Sequence, residues 1–293
     1  MALRSLPEFP KLPWASFGPQ LRTVLEATMN KLDREWPSQW RSVSGANSLF
    51  ELLARSLQNT FHTILVLSSD GPQYPLRRED ALSVPPLARG ILDVLFTTVY
   101  LFDNLPSRVS QYYKGGWRET WEEHQRFQAK YQSDADWDQW LKGFAKMLDK
   151  SATLYGISAP ERANPKALPY WPTPGQMLKD GSVDARRRDY LVYLNDWFYK
   201  HLSAQSHLSL PGLAMRAGAL VRNHDTDLRD AHLDKQRSDQ VLTSSLIALA
   251  FASEVQIECR FDLAERLKYI WTILTSQFGM ARELYDPWYA ARL

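Results

Sequence analysis

The residues of this sequence best able to do chemistry are concentrated in one stretch, YLVYLNDWFYKHLSAQSHLS, from Tyr190 to Ser209. Histidine can bind a metal or act as a general acid or base near neutral pH. His201 and His207 are six residues apart, which places them about 120° apart around a straight helix. A single metal ion therefore cannot bind both, so we expect His201 to lie in the core and His207 to be the site residue.

A second polar group lies in the otherwise apolar segment LARGILDVLFTTVYLFDN, where Arg89 and Asp93 are one helical turn apart. If the side of the helix that carries Arg89 and Asp93 faces solvent, the two residues form an ordinary surface ion pair. If it faces inward, the carboxylate needs a donor, because an unpaired buried charge is very costly. We predict that Asp93 and His207 lie on facing helices, with Arg89 and Tyr193 nearby, in a small buried polar network.

Such a network has two interpretations. A carboxylate beside an imidazole fixes the tautomer of the ring and raises its pKa, so Asp93 and His207 could act as an acid/base pair. They could equally tie two helices together. We favour the structural role, because no nucleophile and no set of metal ligands accompanies them in the sequence.

Two arginine–histidine spacings are similar to the pair that flanks the RNA phosphate in HEPN ribonucleases. Arg55 precedes His62 by seven residues, and Arg118 precedes His124 by six. Arg55 and His62 share the polar face that any amphipathic helix has. These pairs keep a ribonuclease open as an alternative.

The segment RNHDTDLRDAHLD, residues 222–234, is the most ligand-like cluster in the chain. Its His224–Asp225 dipeptide resembles that of HD-type phosphohydrolases, which are helical enzymes that bind divalent metals. Those enzymes also need an upstream histidine and a distant aspartate. His207 and Asp262 could serve, but their spacing does not single them out. The other interpretation is a solvated connector into the next helix, and we expect no bound metal or cofactor.

Composition narrows the class of protein. The net charge is +2 with both signs interspersed, which gives no field strong enough to indicate nucleic acid or an anionic membrane as the main partner. A hydrophobic fraction of 44% and eleven tryptophans predict a packed interior rather than disorder. The single cysteine, Cys259, favours a reducing compartment and a buried thiol. Prolines near the N-terminus do not suit a signal peptide, so we expect a cytoplasmic protein.

Helical spacing of apolar residues predicts an all-α fold, a compact bundle of about eight to ten helices. Residues 1–19 hold four prolines and predict an extended arm, followed by a single helical domain over residues 20–293. The Pro- and Gly-rich segment 156–184 predicts a long irregular loop between two packed halves. The helix expected over 235–259 is apolar nearly all round, which predicts a central position. Its apolar run and that of residues 91–102 are interpreted as buried helices rather than membrane spans.

PPLARGILDVLFTTVYLFDN, followed by DYLVYLNDWFYKHLSAQSHLS, resembles the bacterial domain-of-unknown-function family 5677. The positions that carry the resemblance are Arg89, Asp93, Tyr193, Leu202, Ser203, His207 and Ser209. Asp93 stands where that family usually has glutamate. The resemblance implies a compact helical bacterial protein, found near defence or mobile-element genes, with Arg89, Asp93 and His207 in one inward-facing cluster.

Two functions therefore remain open. The first is a helical interaction or regulatory protein of a bacterial stress or phage-defence system, with a protein partner or a second copy of itself. The alternative is an enzyme that acts on phosphodiesters, either as a HEPN-like ribonuclease or as an HD-like metal-dependent phosphohydrolase.

Overall fold

A computed structural model describes residues 12–69, 78–206, 210, 213–214 and 226–293. Every regular element in these ranges is a helix, and none of these residues belongs to a strand. The predicted all-α bundle is confirmed.

The chain begins with three long helices joined by short 3₁₀ turns at Ser38–Trp40 and Arg78–Ser83. These helices are α1 (Trp14–Arg34), α2 (Ala46–Ser68) and α3 (Val84–Asp103). A helical hairpin follows, formed by α4 (Leu105–Tyr131) and α5 (Ala135–Leu154). Two short helices, α6 (Ala159–Ala163) and α7 (Pro174–Met177), lie on either side of a 3₁₀ turn at Pro165–Ala167.

The rest of the described chain contains five helices and a π-helical turn. They are α8 (Ala185–Leu194), the π-helical turn Asn195–Tyr199, α9 (Lys200–Ser206), α10 (Thr226–Cys259), α11 (Ala264–Gln277) and α12 (Gly279–Trp288).

Helix α10 is the centre of the bundle and packs against α1, α2 and α3. Leu246, Leu249 and Phe251 are at most 1% exposed, which confirms the predicted central position. Small residues let the neighbouring helices approach closely, and the buried Ser245 and Ser253 hydroxyls donate to carbonyl oxygens one turn earlier. Burying these two hydroxyls therefore costs little free energy.

Helix α1 starts earlier than its prolines suggest. Trp14 and Phe17 are buried, so the extended arm predicted for residues 1–19 is wrong from Trp14 onward. Gly18 makes this possible, because a Cβ at that position would lie 2.2 Å from the Trp14 ring. Burial of two large aromatic side chains outweighs the helix-breaking tendency of the local sequence.

Helix α4 also extends further than its sequence pattern suggests. The Gly115–Gly116 pair predicts a connector over residues 105–116, yet these residues form the first turns of α4, with Pro106 near its start. Gly115 is needed because a Cβ there would lie 2.6 Å from the backbone nitrogen of Trp171. The adjacent Gly116 has open space around it.

The segment 156–184 is tied to α3 and α4 by a buried arginine. Arg108 donates to the Asp180 carboxylate at 2.8 Å, and the Tyr100 hydroxyl donates to the same oxygen at 2.6 Å. The Arg108 guanidinium also lies 3.7 Å from the centre of the Tyr100 ring. These contacts, with the short helices α6 and α7, give the irregular segment a fixed path over the bundle.

Among the residues that the structure describes, two helical segments are long and apolar enough to cross a membrane by length and composition, namely α3 and Arg229–Cys259 of α10. In the structure, 61% and 83% of their most apolar windows are buried inside the protein. This burial agrees with their interpretation as core helices.

Candidate functional site

The continuous helical segment from Ala185 to Ser206 contains Tyr193 and His201, and its π-helical turn decides which of its side chains face the bundle. A π-helical turn advances less than 100° per residue, so residues after it lag behind the phase of an α-helix. Phe198 and Leu202 therefore return to the buried stripe, whereas Trp197 is 53% exposed. His201 is exposed and pairs with Gln205 at 2.6 Å. The prediction that His201 lies in the core is wrong for this reason.

Arg89 on α3 contacts the end of the π-helical turn. Its guanidinium donates to the Tyr199 hydroxyl at 2.6 Å and lies 4.8 Å from the centre of the same ring. The opposite edge of the site is apolar, since Phe96 meets the Tyr199 ring edge-on at 5.8 Å. Tyr199 was not predicted from the sequence, although it lies in the aromatic stretch.

Asp93 lies one turn after Arg89 and is half-buried. Burial raises its pKa above the ordinary 3.8, and the Arg89 charge opposes this rise. This half-buried position lies between the two predicted alternatives, a solvated surface pair and a buried network. His207 lies outside the described residues, so its predicted contact with Asp93 remains a prediction.

Tyr193 lies in an aromatic group rather than against Arg89. The centre of its ring lies 6.1 Å from the ring centres of both Trp197 and Trp288. Its hydroxyl is buried and has no hydrogen-bond partner among the described residues. Burial, and secondarily the charge of Glu283, raises the pKa of Tyr193 to about 12. The hydroxyl therefore stays protonated at neutral pH.

A shallow hollow of about 560 Å³ lies beside Tyr193 and Trp197. Helix α12 supplies the opposite side, with both charge signs present. The remaining lining residues are Gly279, Arg282, Glu283, Asp286 and Pro287. Arg282 donates to the Thr275 carbonyl at 3.0 Å, so this cation is already engaged.

The start of α8 contributes to a buried charge network that sequence reasoning did not find. Arg187 donates to Glu258 at 2.7 Å, and Arg292 bridges Glu258 and Glu254 at 3.4 and 3.1 Å. Burial raises the pKa of Glu254, although the Arg292 charge opposes the rise. Two arginines neutralise two glutamates here, so the network ties α8 and α10 to the end of the chain.

Two tyrosines continue this network into the core. The hydroxyls of Tyr190 and Tyr289 are hydrogen-bonded to each other, and both rings are buried. Burial raises the pKa of each far above its ordinary value. Both are therefore neutral hydrogen-bonding groups. The residues of this network lie far apart in the chain, which left no local signal for them.

The Arg118–His124 pair is not arranged as an open phosphate site. Arg118 donates to Glu122 at 3.0 Å and to the Leu168 carbonyl, and its guanidinium covers the Tyr170 ring at 3.7 Å. His124 is 7% exposed and meets the Phe144 ring edge-on at 5.1 Å.

On α2, the other pair stands on the solvent face. Arg55 is bound to Glu51 at 2.6 Å, and His62 is exposed.

The HD-like assignment depends mainly on residues outside the described ranges, namely His207, His224 and Asp225. Asp262, the distant aspartate of that prediction, binds Lys31 at 2.6 Å. Among the described residues, no group of three or more histidine, cysteine, aspartate or glutamate side chains could hold a metal ion.

The α4–α5 hairpin carries a ladder of aromatic rings. Tyr131 stacks on Trp137 at 4.1 Å with an angle of 6° between the planes, and Phe127 meets Trp140 edge-on at 5.2 Å. From residue 125 to residue 147 these helices have no buried residue. The ladder therefore leaves four large aromatic side chains half-buried or exposed. Helix α5 packs mainly against α4.

Neither a protein-family model, nor a curated protein, nor a solved structure matches this chain.

Proposed function

We propose that this chain is a helical interaction or regulatory protein that binds a protein partner on the α4–α5 hairpin. The half-exposed aromatic ladder of this hairpin carries the proposal. Tryptophan, tyrosine, phenylalanine and methionine are enriched where proteins bind one another, and a few such side chains supply most of the binding energy. Trp140 and Met147 are 45% and 46% exposed on one helix.

The form of the hairpin supports the same function. Helix α4 reaches the bundle through its first turns, whereas the outer parts of α4 and α5 cover only one another. Two antiparallel helices normally need a further layer to bury their apolar stripes. A complex with a partner that supplied this layer would be stabilised, because apolar surface that is in contact with water in the free chain would become buried.

The chemistry of the polar clusters supports binding over catalysis. The Arg187, Arg292, Glu254 and Glu258 charges neutralise one another, and Arg118 is already engaged by Glu122. The setting that we propose, a bacterial stress or phage-defence system in the cytoplasm, depends on the family resemblance of the Arg89 and Tyr190 helices.

Site-specific photo-crosslinking tests the proposal. A photoreactive amino acid is placed at Trp140 in one variant and at Lys142 in a matched control, in cells that normally make the protein. Lys142 is exposed on the opposite side of α5 and pairs with Asp138 at 2.7 Å. We expect discrete protein adducts from position 140 and none from position 142. Equal labelling from both positions, or none from position 140, contradicts the proposal.

The enzymatic alternative has separate measurements. RNA cleavage by the purified chain that survives chelation and is lost in His62→Ala would replace the proposal with a ribonuclease. His62 is exposed, so this substitution leaves the packing intact. Manganese, iron or zinc bound in stoichiometric amount after purification without chelator would instead support the metal-dependent phosphohydrolase.

A further inference from the structure

Helix α5 has a second apolar stripe besides the one that faces α4. Trp140, Met147 and Leu154 are 45%, 46% and 75% exposed, and each lies seven residues from the next. A seven-residue repeat keeps side chains on nearly one line along a helix, with a drift of about 20° per repeat. We call these three residues the α5 stripe.

The α5 stripe lies beside the seam between α4 and α5, not within it. Leu148 and Ala152, which are buried, belong to the side of α5 that meets α4. At about 100° per residue, the α5 stripe is displaced by about a third of a turn from these two positions. One helix therefore has two apolar lines; α4 covers the first and meets the second at Trp140, whose ring is edge-on to Phe127.

Charged residues flank a glycine on the same side of α5. Asp136 and Lys150 each lie seven residues from Gly143, or about 10 Å along the helix axis. Both side chains are exposed, and neither makes an ion pair within the described chain. A Cβ built on Gly143 meets nothing within 4 Å, so a second helix can approach the backbone there.

We propose that the partner on the hairpin is a second copy of this chain, whose α5 crosses the first one antiparallel at Gly143. This arrangement places Asp136 opposite Lys150 of the second copy, and Lys150 opposite the copy's Asp136. Trp140 then packs against Met147 of the second copy. The inference depends on the proposed function and names the partner of that same surface.

Charge excludes the other orientation. A parallel pair with the same residues in register would place Asp136 against Asp136 and Lys150 against Lys150. Like charges facing each other across an interface are strongly unfavourable. The antiparallel crossing also brings the two hairpins together as a four-helix arrangement, in which helical hairpins commonly bury their apolar stripes.

Disulfide trapping of the full chain tests the geometry. In Gly143→Cys, two copies of the new thiol meet at the crossing point, so we expect a covalent dimer under mild oxidation. The control is Lys142→Cys, which points about 100° away from Gly143 around α5 and should stay monomeric on a non-reducing gel. Cys259, the single natural cysteine, is buried and its thiol pKa is raised by burial, so it does not interfere.

Charge reversal tests the register. Sedimentation of wild type over a concentration series should show a monomer–dimer equilibrium. Asp136→Lys alone, and Lys150→Asp alone, should each raise the dissociation constant about tenfold or more, because like charges then meet twice. The double swap Asp136→Lys/Lys150→Asp should restore dimerisation. The control swap Asp138→Lys/Lys142→Asp should leave it unchanged.

Each outcome has a defined meaning. A wild-type chain that stays monomeric throughout the series overturns the inference, as does a control swap that weakens the dimer equally. If Trp140 nevertheless crosslinks to a different protein in cells, the proposed function stands and only the identity of the partner is wrong. If Trp140 crosslinks to nothing and the chain is monomeric, both proposals fail.

Discussion

The guanidinium of Arg89 donates a hydrogen bond of 2.6 Å to the hydroxyl of Tyr199, across 110 residues of sequence. This contact joins the second turn of α3 to the π-helical turn. It satisfies a half-buried cation with both a hydroxyl acceptor and the face of an aromatic ring.

Tyr199→Phe removes the hydroxyl and keeps the ring. We expect the free energy of unfolding to fall by about 1–2 kcal/mol, because a hydrogen bond to a charged group contributes more than a neutral one and partial exposure reduces that contribution. Urea unfolding followed by circular dichroism measures this change. Tyr269→Phe is the control, because Tyr269 is 55% exposed and should tolerate the same loss. Equal effects of the two substitutions would contradict a specific role for the Arg89 contact.

Asp93→Asn should change how stability depends on pH. The pKa of Asp93 is raised in the folded protein, so the folded chain binds more protons than the unfolded chain between the two pKa values. The contribution of Asp93 to stability is therefore fully present below its unfolded pKa and is lost as pH rises through its folded pKa. The free energy of unfolding of wild type minus that of Asp93→Asn should fall across this window, which begins near 3.8, and then level off. Urea titrations at a series of pH values measure it, and a constant difference would refute the assignment.

Gly115→Ala and Gly116→Ala are adjacent substitutions with opposite expected signs. The first introduces a methyl group 2.6 Å from the Trp171 backbone nitrogen and should destabilise the protein by about 1–3 kcal/mol. The second meets nothing within 4 Å and should stabilise α4 by about 0.5–1 kcal/mol, because alanine favours the helix over glycine. Thermal or urea unfolding of both variants checks the prediction, which would fail if their effects shared a sign.

Arg292→Met should leave the Glu254 carboxylate buried without its main counter-charge. We expect a loss of about 3 kcal/mol, the usual cost of breaking a buried pair by removing one partner. Changing Glu254→Gln in the same chain should recover part of that loss, since no uncompensated charge then remains. A double-mutant cycle measured by urea unfolding gives the coupling between the two residues. Simple additivity would mean that the Arg292–Glu254 contact at 3.1 Å contributes little.

Much of the fold could be predicted because helical periodicity is a local property of the sequence. The helix around Leu246 and Phe251 is apolar nearly all round, which a surface helix is not, and this pattern alone predicts that the helix lies at the centre of the bundle. The boundaries that were missed depend on tertiary contact. Trp14 joins α1 because its ring is buried, and the start of α4 continues through Gly115 because the loop at Trp171 approaches it closely.

The candidate site was predicted only in part, for a physical reason. Arg89 and Asp93 share one helix, so the effect of the Arg89 charge on the pKa of Asp93 follows from spacing alone. The partner of Arg89 is Tyr199 rather than Tyr193, because the π-helical turn changes the phase of every later residue. Contacts such as Arg187 with Glu258 join residues 71 apart, and no pattern within one sequence specifies them.

The π-helical turn also bears on how this segment tolerates a single-codon deletion. A π-helical turn fits one more residue than an α-helix between the same two flanks, so a chain with one residue fewer between Asn195 and Tyr199 would close as an ordinary α-helix. Both flanks would keep their places, with Tyr190 beside Tyr289 and Leu202 in the core. A frame-preserving loss of three nucleotides here would therefore be less damaging than the same loss within α10, where it would turn every later side chain of the helix by about 100°.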